Sequence, residues 1–127
     1  MIASRIASWA AAALVVLTVQ ARAVVPLVAQ EEAAYLIGAV DTSGCTFFRN
    51  GLWYDAARAA RHLREKYSLV TASGAIGTGE AFIDKVATKS AFTGLAYEVD
   101  CPEHARLTLA TWLTDLLARH RASGTPR

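Results

Sequence analysis

The first chemistry that the sequence offers is a thiol activated by an imidazole. Cys45 is one of two cysteines, and His62 lies on a later segment with helical periodicity. A histidine base can remove the proton of a cysteine and leave a thiolate nucleophile. That interpretation requires a free thiol, whereas the second cysteine, Cys101, offers Cys45 a disulfide partner. We therefore favour a structural role for Cys45 over a catalytic one.

Metal, phosphate and serine-hydrolase chemistry have less support from residue spacing. His62, His104 and His120 are the three histidines, and none falls in a zinc-motif spacing. Three glycines at positions 74–79 precede a predicted helix, as in a phosphate loop. The lysine of such a loop is missing, however, and Glu80 would repel an anion at the helix start. We favour a flexible connection followed by a helix that Thr78 caps. No GxSxG motif is present, and we predict no catalytic residue, no metal ion and no cofactor.

Arg49, Asn50 and His62 are the candidate binding residues. Arg49 and Asn50 follow a short aromatic segment and precede Gly51, where a turn can present side chains to a ligand. The same position can instead fix the backbone, and we favour that structural role. Further basic residues alternate with acidic ones and are interpreted as a solvated helix surface: Arg58, Arg61, Arg64 and Lys66.

The first 23 residues have the organisation of a secretory signal peptide. A basic start containing Arg5 is followed by fourteen uncharged residues, 6–19, and Ala21-Arg22-Ala23 supplies the small residues that signal peptidase reads. An uncleaved membrane anchor is the alternative, but the uncharged run is shorter than the roughly 20 residues that span a bilayer. We predict cleavage before Val24, and hence a periplasmic or secreted protein with no stable membrane anchor.

The predicted signal peptide also accounts for the positive charge of the chain. The 127 residues include 13 Lys and Arg against 11 Asp and Glu, but Arg5 and Arg22 belong to the predicted signal. The remaining residues, 24–127, are formally neutral and form one small domain in this prediction. A neutral domain has no overall field that attracts nucleic acid or an anionic membrane. We therefore expect no nucleic-acid partner.

The elements that must position these side chains are four helices and two strands. Apolar residues recur at helical spacing in four segments. The first three are residues 27–40, 52–67 and 78–89. The fourth begins at residues 100–103 and ends before Gly124. Residues 45–49 and 95–99 have the composition or alternation of strands. Asn50-Gly51 is a common hairpin signal, but the helical spacing after it favours a turn from strand into helix.

The two predicted strands must pair with each other to satisfy their backbone groups. Antiparallel pairing places Cys45, at the start of the first strand, opposite the end of the second strand beside Cys101. Parallel pairing would place Cys45 near Leu95 instead. Because an exported chain with two cysteines favours a disulfide, we predict antiparallel pairing and a Cys45–Cys101 bond. The expected fold is α+β, in the order helix-strand-helix-helix-strand-helix, with a two-stranded antiparallel sheet.

Short blocks spread over residues 31–117 have a recognisable order and spacing. They are Phe48-Arg49-Asn50-Gly51, Ala59, His62-Leu63-Arg64, Phe82-Ile83-Asp84-Lys85-Val86-Ala87, Ser90, Thr93-Gly94 and Tyr97. This pattern resembles the small exported bacterial family that includes the enterobacterial protein YfeK. The resemblance implies a periplasmic or secreted protein. It transfers no catalytic or binding residue, because that family has no known function.

Two hypotheses about function follow. The first is a non-catalytic envelope module that binds an unidentified envelope component, such as a protein. The alternative is a cell-envelope hydrolase whose site combines His62 with acidic residues assembled by the fold. The hydrolase hypothesis requires that His62, Arg49 and a carboxylate line one concave pocket. Exposure of His62 on a convex surface would exclude it.

Overall fold

The described part of the chain alternates helices with short strands. The computed structural model describes residues 10–18, 25–74 and 76–124. Its elements are α1 Leu27–Thr42, β1 Thr46–Arg49, β2 Leu52–Asp55, α2 Ala56–Thr71, α3 Gly79–Val86, β3 Glu98–Asp100, β4 Leu107–Thr108 and α4 Leu109–Ser123. None of the helices in these ranges is long and apolar enough to cross a bilayer. The predicted cleavage position, Ala23–Val24, lies outside the described residues.

The sheet has four strands, and the prediction of two strands was wrong. Its order is β2-β1-β3-β4, and every neighbouring pair is antiparallel. β1 and β3 are the predicted pair, and Thr46 lies opposite Asp100. The next pair outward is Cys45 and Cys101, which form a disulfide with their Cα atoms 4.5 Å apart. The α+β class, the antiparallel pairing and the disulfide are therefore confirmed, although the strand count is not.

The first additional strand comes from a β-hairpin at Asn50-Gly51. Asn50 has a φ of 52° and Gly51 a φ of 82°, which is the left-handed pair that a two-residue type I′ turn requires. The prediction of a turn from strand into helix was therefore wrong. α2 begins only at Ala56, and the side chain of Asp55 accepts a 2.9 Å hydrogen bond from the backbone N–H of Arg58. Asp55 is thus the last strand residue and the helix cap at once.

The second additional strand, β4, delays the start of the last helix. Residues 100–103 do not open α4, because the chain turns back and Leu107 pairs with Val99 of β3. α4 begins at Leu109, and the Oγ1 of Thr108 accepts a hydrogen bond from the backbone N–H of Thr111 at 3.2 Å. The predicted start was therefore several residues too early.

The helices cover one face of the sheet. Phe47 and Val99 point from this face into the core, and the ring of Phe47 packs edge-on against Trp112 of α4, with centroids 6.0 Å apart. α2 and α4 contact the strands directly, whereas α1 and α3 pack against those two helices. The most deeply buried side chains come from all these layers: Leu36, Val40, Phe82, Val86, Val99 and Leu113. A cleft opens between this sheet face and α2.

Candidate functional site

A narrow cleft lies between the inner face of the β1–β2 hairpin and α2. Its volume is ≈ 50 Å³. The lining residues with polar groups are Arg49, Tyr54, His62, Lys66 and Tyr97. Phe47, Phe48, Ala59, Leu63 and Leu109 complete it, so none of the described residues that line the cleft is acidic. Arg49 and His62, two of the three predicted binding residues, therefore share one concave site, whereas Asn50 lies outside it.

The hairpin supplies Arg49 and Tyr54 through strand alternation. Phe47 points into the core, and Arg49, two residues later, lies on the same face. Tyr54 is the register partner of Phe47 and also belongs to this face. Residues on the same face of neighbouring strands are close enough to build one wall of the cleft.

α2 supplies the opposite wall through its helical period. Ala59, His62, Leu63 and Lys66 follow the spacing i, i+3, i+4 and i+7, which places them on one face of the helix. Ala59 and Leu63 are buried against the core, and the two polar side chains flank them. The His62 ring packs edge-on against the ring of Tyr54 with centroids 5.3 Å apart. This contact orients the imidazole at the cleft wall.

Lys66 is held in place by the segment that leads into β3. Its Nζ donates a hydrogen bond to the carbonyl oxygen of Lys89 at 2.7 Å and another to the hydroxyl of the buried Tyr97 at 3.1 Å. An ammonium group has three donors, so one remains for a ligand. Interpreting Lys66 as part of a solvated surface was therefore wrong.

The ring of His62 is disfavoured in its charged form. Burial lowers the pKa of His62 from 6.5, and the positive charge of Arg49 lowers it further. Glu65 acts in the opposite direction, while Arg58 and Arg61 add to the lowering. At neutral pH the ring is therefore neutral and has one donor and one acceptor nitrogen.

We expect the stability of the protein to decrease as the pH falls below about 6.5, partly through His62. The unfolded chain protonates His62 at its ordinary pKa, whereas the folded protein resists this protonation. The contribution of His62 is therefore complete above its unfolded pKa and is lost as the pH falls through its lowered folded pKa. Urea unfolding of the wild type and of His62→Gln, at neutral and mildly acidic pH, measures this contribution. The same pH dependence in both proteins would contradict it, and His104→Gln, on the exposed β3–β4 connection, is the matched control.

Arg49 brings a half-buried positive charge to the cleft. None of the salt bridges among the described residues includes it. A partly desolvated guanidinium is stabilised by an anion placed in its plane, where two N–H groups can donate to two oxygens. The arrangement of Arg49, His62 and Lys66 is therefore suited to a carboxylate or a phosphate.

Asn50 has a structural position instead. Its left-handed backbone forms the hairpin turn, and its Oδ1 accepts a hydrogen bond from the Oγ1 of Thr93 at 2.8 Å. The same hydroxyl of Thr93 accepts a hydrogen bond from the backbone N–H of Leu95 at 3.2 Å. Asn50 thus joins the hairpin to the loop before β3, beside the cleft and outside its lining.

Cys45 and Cys101, at one end of the sheet, act neither as nucleophiles nor as metal ligands. Cys45 and Cys101 are bonded to each other, so neither thiolate is available as a nucleophile. Their sulfur atoms and a carboxylate oxygen of Glu103 lie within 4.8 Å of one another. A metal ion would need the two sulfurs as thiolates, and the disulfide removes that option.

A second charged cluster joins α1, α3 and α4. Glu32 is only 5% exposed, and its two oxygens accept hydrogen bonds from the Nε and Nη2 of Arg121 at 2.6 and 2.8 Å. Arg121 also binds Glu80. These hydrogen bonds lower the pKa of Glu32 and lower that of Glu80 to about 2. The two residues are 89 positions apart, and no local pattern in the sequence indicates that they pair.

Gly79 allows this cluster to form. It is buried at the start of α3, and a Cβ atom there would lie 2.9 Å from an oxygen of Glu32 and 3.1 Å from a methyl carbon of Leu117. A side chain at this position would displace the Glu32 carboxylate and the Leu117 side chain, so glycine permits the close approach of α1 and α4. Thr78, immediately before Gly79, caps α3 by accepting a hydrogen bond from the backbone N–H of Ala81, as predicted.

Comparisons with known proteins identify a family without identifying an activity. Neither the comparison with curated proteins nor that with solved structures gave a match. A protein-family model described as a family of unknown function (DUF5329) matches residues 28–121. This range includes every cleft residue, both cysteines and the Glu32–Arg121 pair. The chain therefore belongs to DUF5329, a family of unknown function.

Proposed function

We propose that the protein is an exported, non-catalytic binding module whose cleft holds a carboxylate or phosphate group of a larger envelope component. The observation that carries this proposal is the convergence of Arg49, His62 and Lys66 on one cleft whose described lining includes no acidic residue. Two cationic groups and an imidazole that can donate a hydrogen bond, without a lining carboxylate, favour an anionic ligand.

The size of the cleft sets the size of the group it can hold. A single water needs roughly 10–15 Å³ of such space, and the cleft offers ≈ 50 Å³. A carboxylate or a phosphate fits in that volume, whereas a sugar ring or an amino-acid side chain with its backbone does not. The remainder of the ligand must therefore lie outside the cleft, against its rim.

Export rests on three observations of the sequence and the fold. Residues 1–23 have the pattern of a signal peptide, with cleavage proposed before Val24. The Cys45–Cys101 disulfide is compatible with an oxidising compartment such as the periplasm. The family resemblance described above, to the exported family of YfeK, points the same way. We propose residues 24–127 as the mature domain.

A hydrolase centred on His62 is the second candidate. The observation that favours it is a histidine with a lowered pKa in a cleft, since such a group is neutral and can accept a proton near neutral pH. A hydrolase also needs a nucleophile or a carboxylate within reach of the substrate. The described lining residues include neither Asp nor Glu, and Cys45 is oxidised, so this candidate has weaker support.

Replacing Arg49 with glutamine should weaken the binding of a small anion by about tenfold or more, because a charge-assisted hydrogen bond contributes roughly 1.5–3 kcal/mol. The probes are inorganic phosphate and acetate, titrated into the oxidised protein and followed by NMR shifts of the cleft residues. We expect saturable shifts in the wild type and much weaker binding in Arg49→Gln.

Arg61→Gln is the matched control for this experiment. Arg61 lies next to His62 on α2, is exposed and does not line the cleft, so the variant makes the same change in net charge. We expect it to bind phosphate nearly as well as the wild type. Equal weakening in both variants would mean that net charge rather than the cleft determines binding, and an absence of saturable binding in the wild type would refute the proposed function.

A further inference from the structure

Phe92 lies in the loop between α3 and β3, where hydrogen bonds hold the backbone in a turn. Phe92 is 90% exposed, more than any other large apolar residue between positions 25 and 124 in the described chain. The hydroxyl of the buried Ser90 accepts hydrogen bonds from the backbone N–H groups of Phe92 and Thr93, at 3.2 and 3.4 Å. The backbone N–H of Gly94 donates to the carbonyl of Ser90 at 3.0 Å. Hydrogen bonds therefore fix the turn that exposes Phe92.

Two hydrogen bonds and the continuing chain connect this loop to the cleft. At one end, Lys66 in the cleft wall donates to the carbonyl of Lys89. In the middle, Thr93 binds Asn50, the residue next to Arg49. At the other end the loop leads into Tyr97, which lines the cleft. These contacts hold the loop beside the cleft, and we define the cleft rim as residues 50–52 and 89–97.

Two further apolar side chains belong to the same rim. Leu52 is the register partner of Arg49 across the hairpin and is 61% exposed. Leu95 belongs to the loop itself and is 48% exposed. Single exposed apolar residues are ordinary on protein surfaces. Here three of them belong to the rim of a cleft whose lining includes the cationic groups of Arg49 and Lys66.

We infer that this rim docks reversibly on a membrane surface rich in anionic phospholipid, with Phe92 inserted between headgroups and one lipid phosphate in the cleft. The inference rests on the proposed function and names the source of the anion. The combination of basic groups with protruding apolar side chains is complementary to the negative headgroup layer and to the acyl boundary beneath it.

A membrane fits these features better than a soluble amphiphile or a peptide. A soluble ligand buries its apolar part in a concave pocket, and the cleft has room for little more than its anionic end. The apolar residues of the rim protrude instead, and Phe92 is almost fully exposed. Protruding side chains gain apolar contacts when they enter the headgroup region of a lipid bilayer, whose molecules can rearrange around them. A rigid small molecule cannot surround a protruding side chain.

The neutral overall charge of residues 24–127 is consistent with this mode of docking. At physiological ionic strength, charges act on a membrane over only about 8 Å, so the local groups at the rim decide the attraction. Asp55 is the last residue of β2, opposite Thr46, and Asp41 is close to the end of α1. Both lie toward the disulfide end of the sheet rather than the hairpin end. The basic groups at the hairpin end are therefore separated from these two carboxylates, whereas the exposed Glu65 on α2 acts on His62 from outside the cleft lining.

Sedimentation with vesicles tests the inference on the oxidised protein. Vesicles of phosphatidylglycerol and phosphatidylethanolamine should retain the wild type, and vesicles of phosphatidylcholine alone should not. Phe92→Ser should reduce retention about tenfold, because the inserted ring loses its apolar contact. Arg49→Gln should reduce it to a similar extent. Leu27→Ser, which removes a similarly exposed apolar side chain from α1, should leave retention unchanged.

The outcomes separate this inference from the proposed function. No retention on phosphatidylglycerol vesicles, or full retention of Phe92→Ser, would overturn membrane docking. If inorganic phosphate still binds the wild type in a saturable, Arg49-dependent manner, the anion site stands and its ligand is soluble. Retention that depends on Phe92 but not on Arg49 would overturn the placement of the lipid phosphate in the cleft. Circular dichroism of each variant establishes that it is folded.

Discussion

Replacing both cysteines with alanine is expected to lower the free energy of unfolding by about 4 kcal/mol, from the loop-closure entropy of the unfolded chain. The disulfide closes a loop of 56 residues and joins the residue before β1 to the residue after β3. Domains of this size are stabilised by only about 5–15 kcal/mol in total. The double variant should therefore unfold at a much lower denaturant concentration, which urea titration followed by circular dichroism will measure.

Reduction of the wild type provides the control for this prediction. A reductant should destabilise the wild-type protein by a similar amount and should have no effect on Cys45→Ala/Cys101→Ala. This comparison separates the cross-link from the small loss of packing at two buried positions. A double variant as stable as the oxidised wild type would contradict the prediction, as would free thiols in the untreated protein.

Replacing Arg121 with alanine is expected to destabilise the protein by about 3 kcal/mol, because it leaves the buried carboxylate of Glu32 without its charged partner. This loss is at the lower end of the range for breaking a buried ion pair, because the side chain of Arg121 is 45% exposed and water screens part of the interaction. The lost contacts also tie α4 to α1 and α3. Chemical denaturation at neutral pH measures the change.

Arg119→Ala is the matched control, two residues earlier on the same helix. Its partner Asp115 and Arg119 itself are both exposed, so its removal should cost less than about 1 kcal/mol. Adding Glu32→Gln to Arg121→Ala should recover part of the loss, because the buried charge is then removed. Because the pKa of Glu32 is lowered by Arg121, the stabilisation by this pair should itself decrease as the pH falls through that lowered value. Equal effects of the two arginine replacements would contradict the assignment.

The fold could be predicted where local signals agree. α1 and the N-terminal cap of α3 follow from apolar spacing and from Thr78, and the antiparallel pairing followed from the two cysteines. The hairpin was missed because β2 has only four residues, too few to compete with the helical spacing that begins at Trp53. The Asn50-Gly51 signal was therefore outweighed, although the backbone at this position adopts the turn that those residues favour.

The site was predicted only in part. Arg49 and His62 were both candidates, and the fold places them in the same cleft. Lys66 and Tyr97 were missed because their contact joins positions 31 residues apart and depends on how the loop before β3 returns to α2. The helical spacing of Ala59 and Leu63 was the available signal for Lys66. Long-range pairing also explains why the bond between Glu32 and Arg121, 89 residues apart, was not foreseen.

Titration of the His62 ring, followed by NMR with and without inorganic phosphate, tests the anion site most directly. Without a ligand, burial and the charge of Arg49 hold the pKa of His62 below 6.5. A phosphate bound between Arg49 and Lys66 would offset that positive charge and favour the imidazolium form. We therefore predict that saturating phosphate raises the pKa of His62 in the wild type but not in Arg49→Gln. An unchanged pKa in the wild type, at phosphate concentrations that leave the fold intact, would contradict the existence of the site.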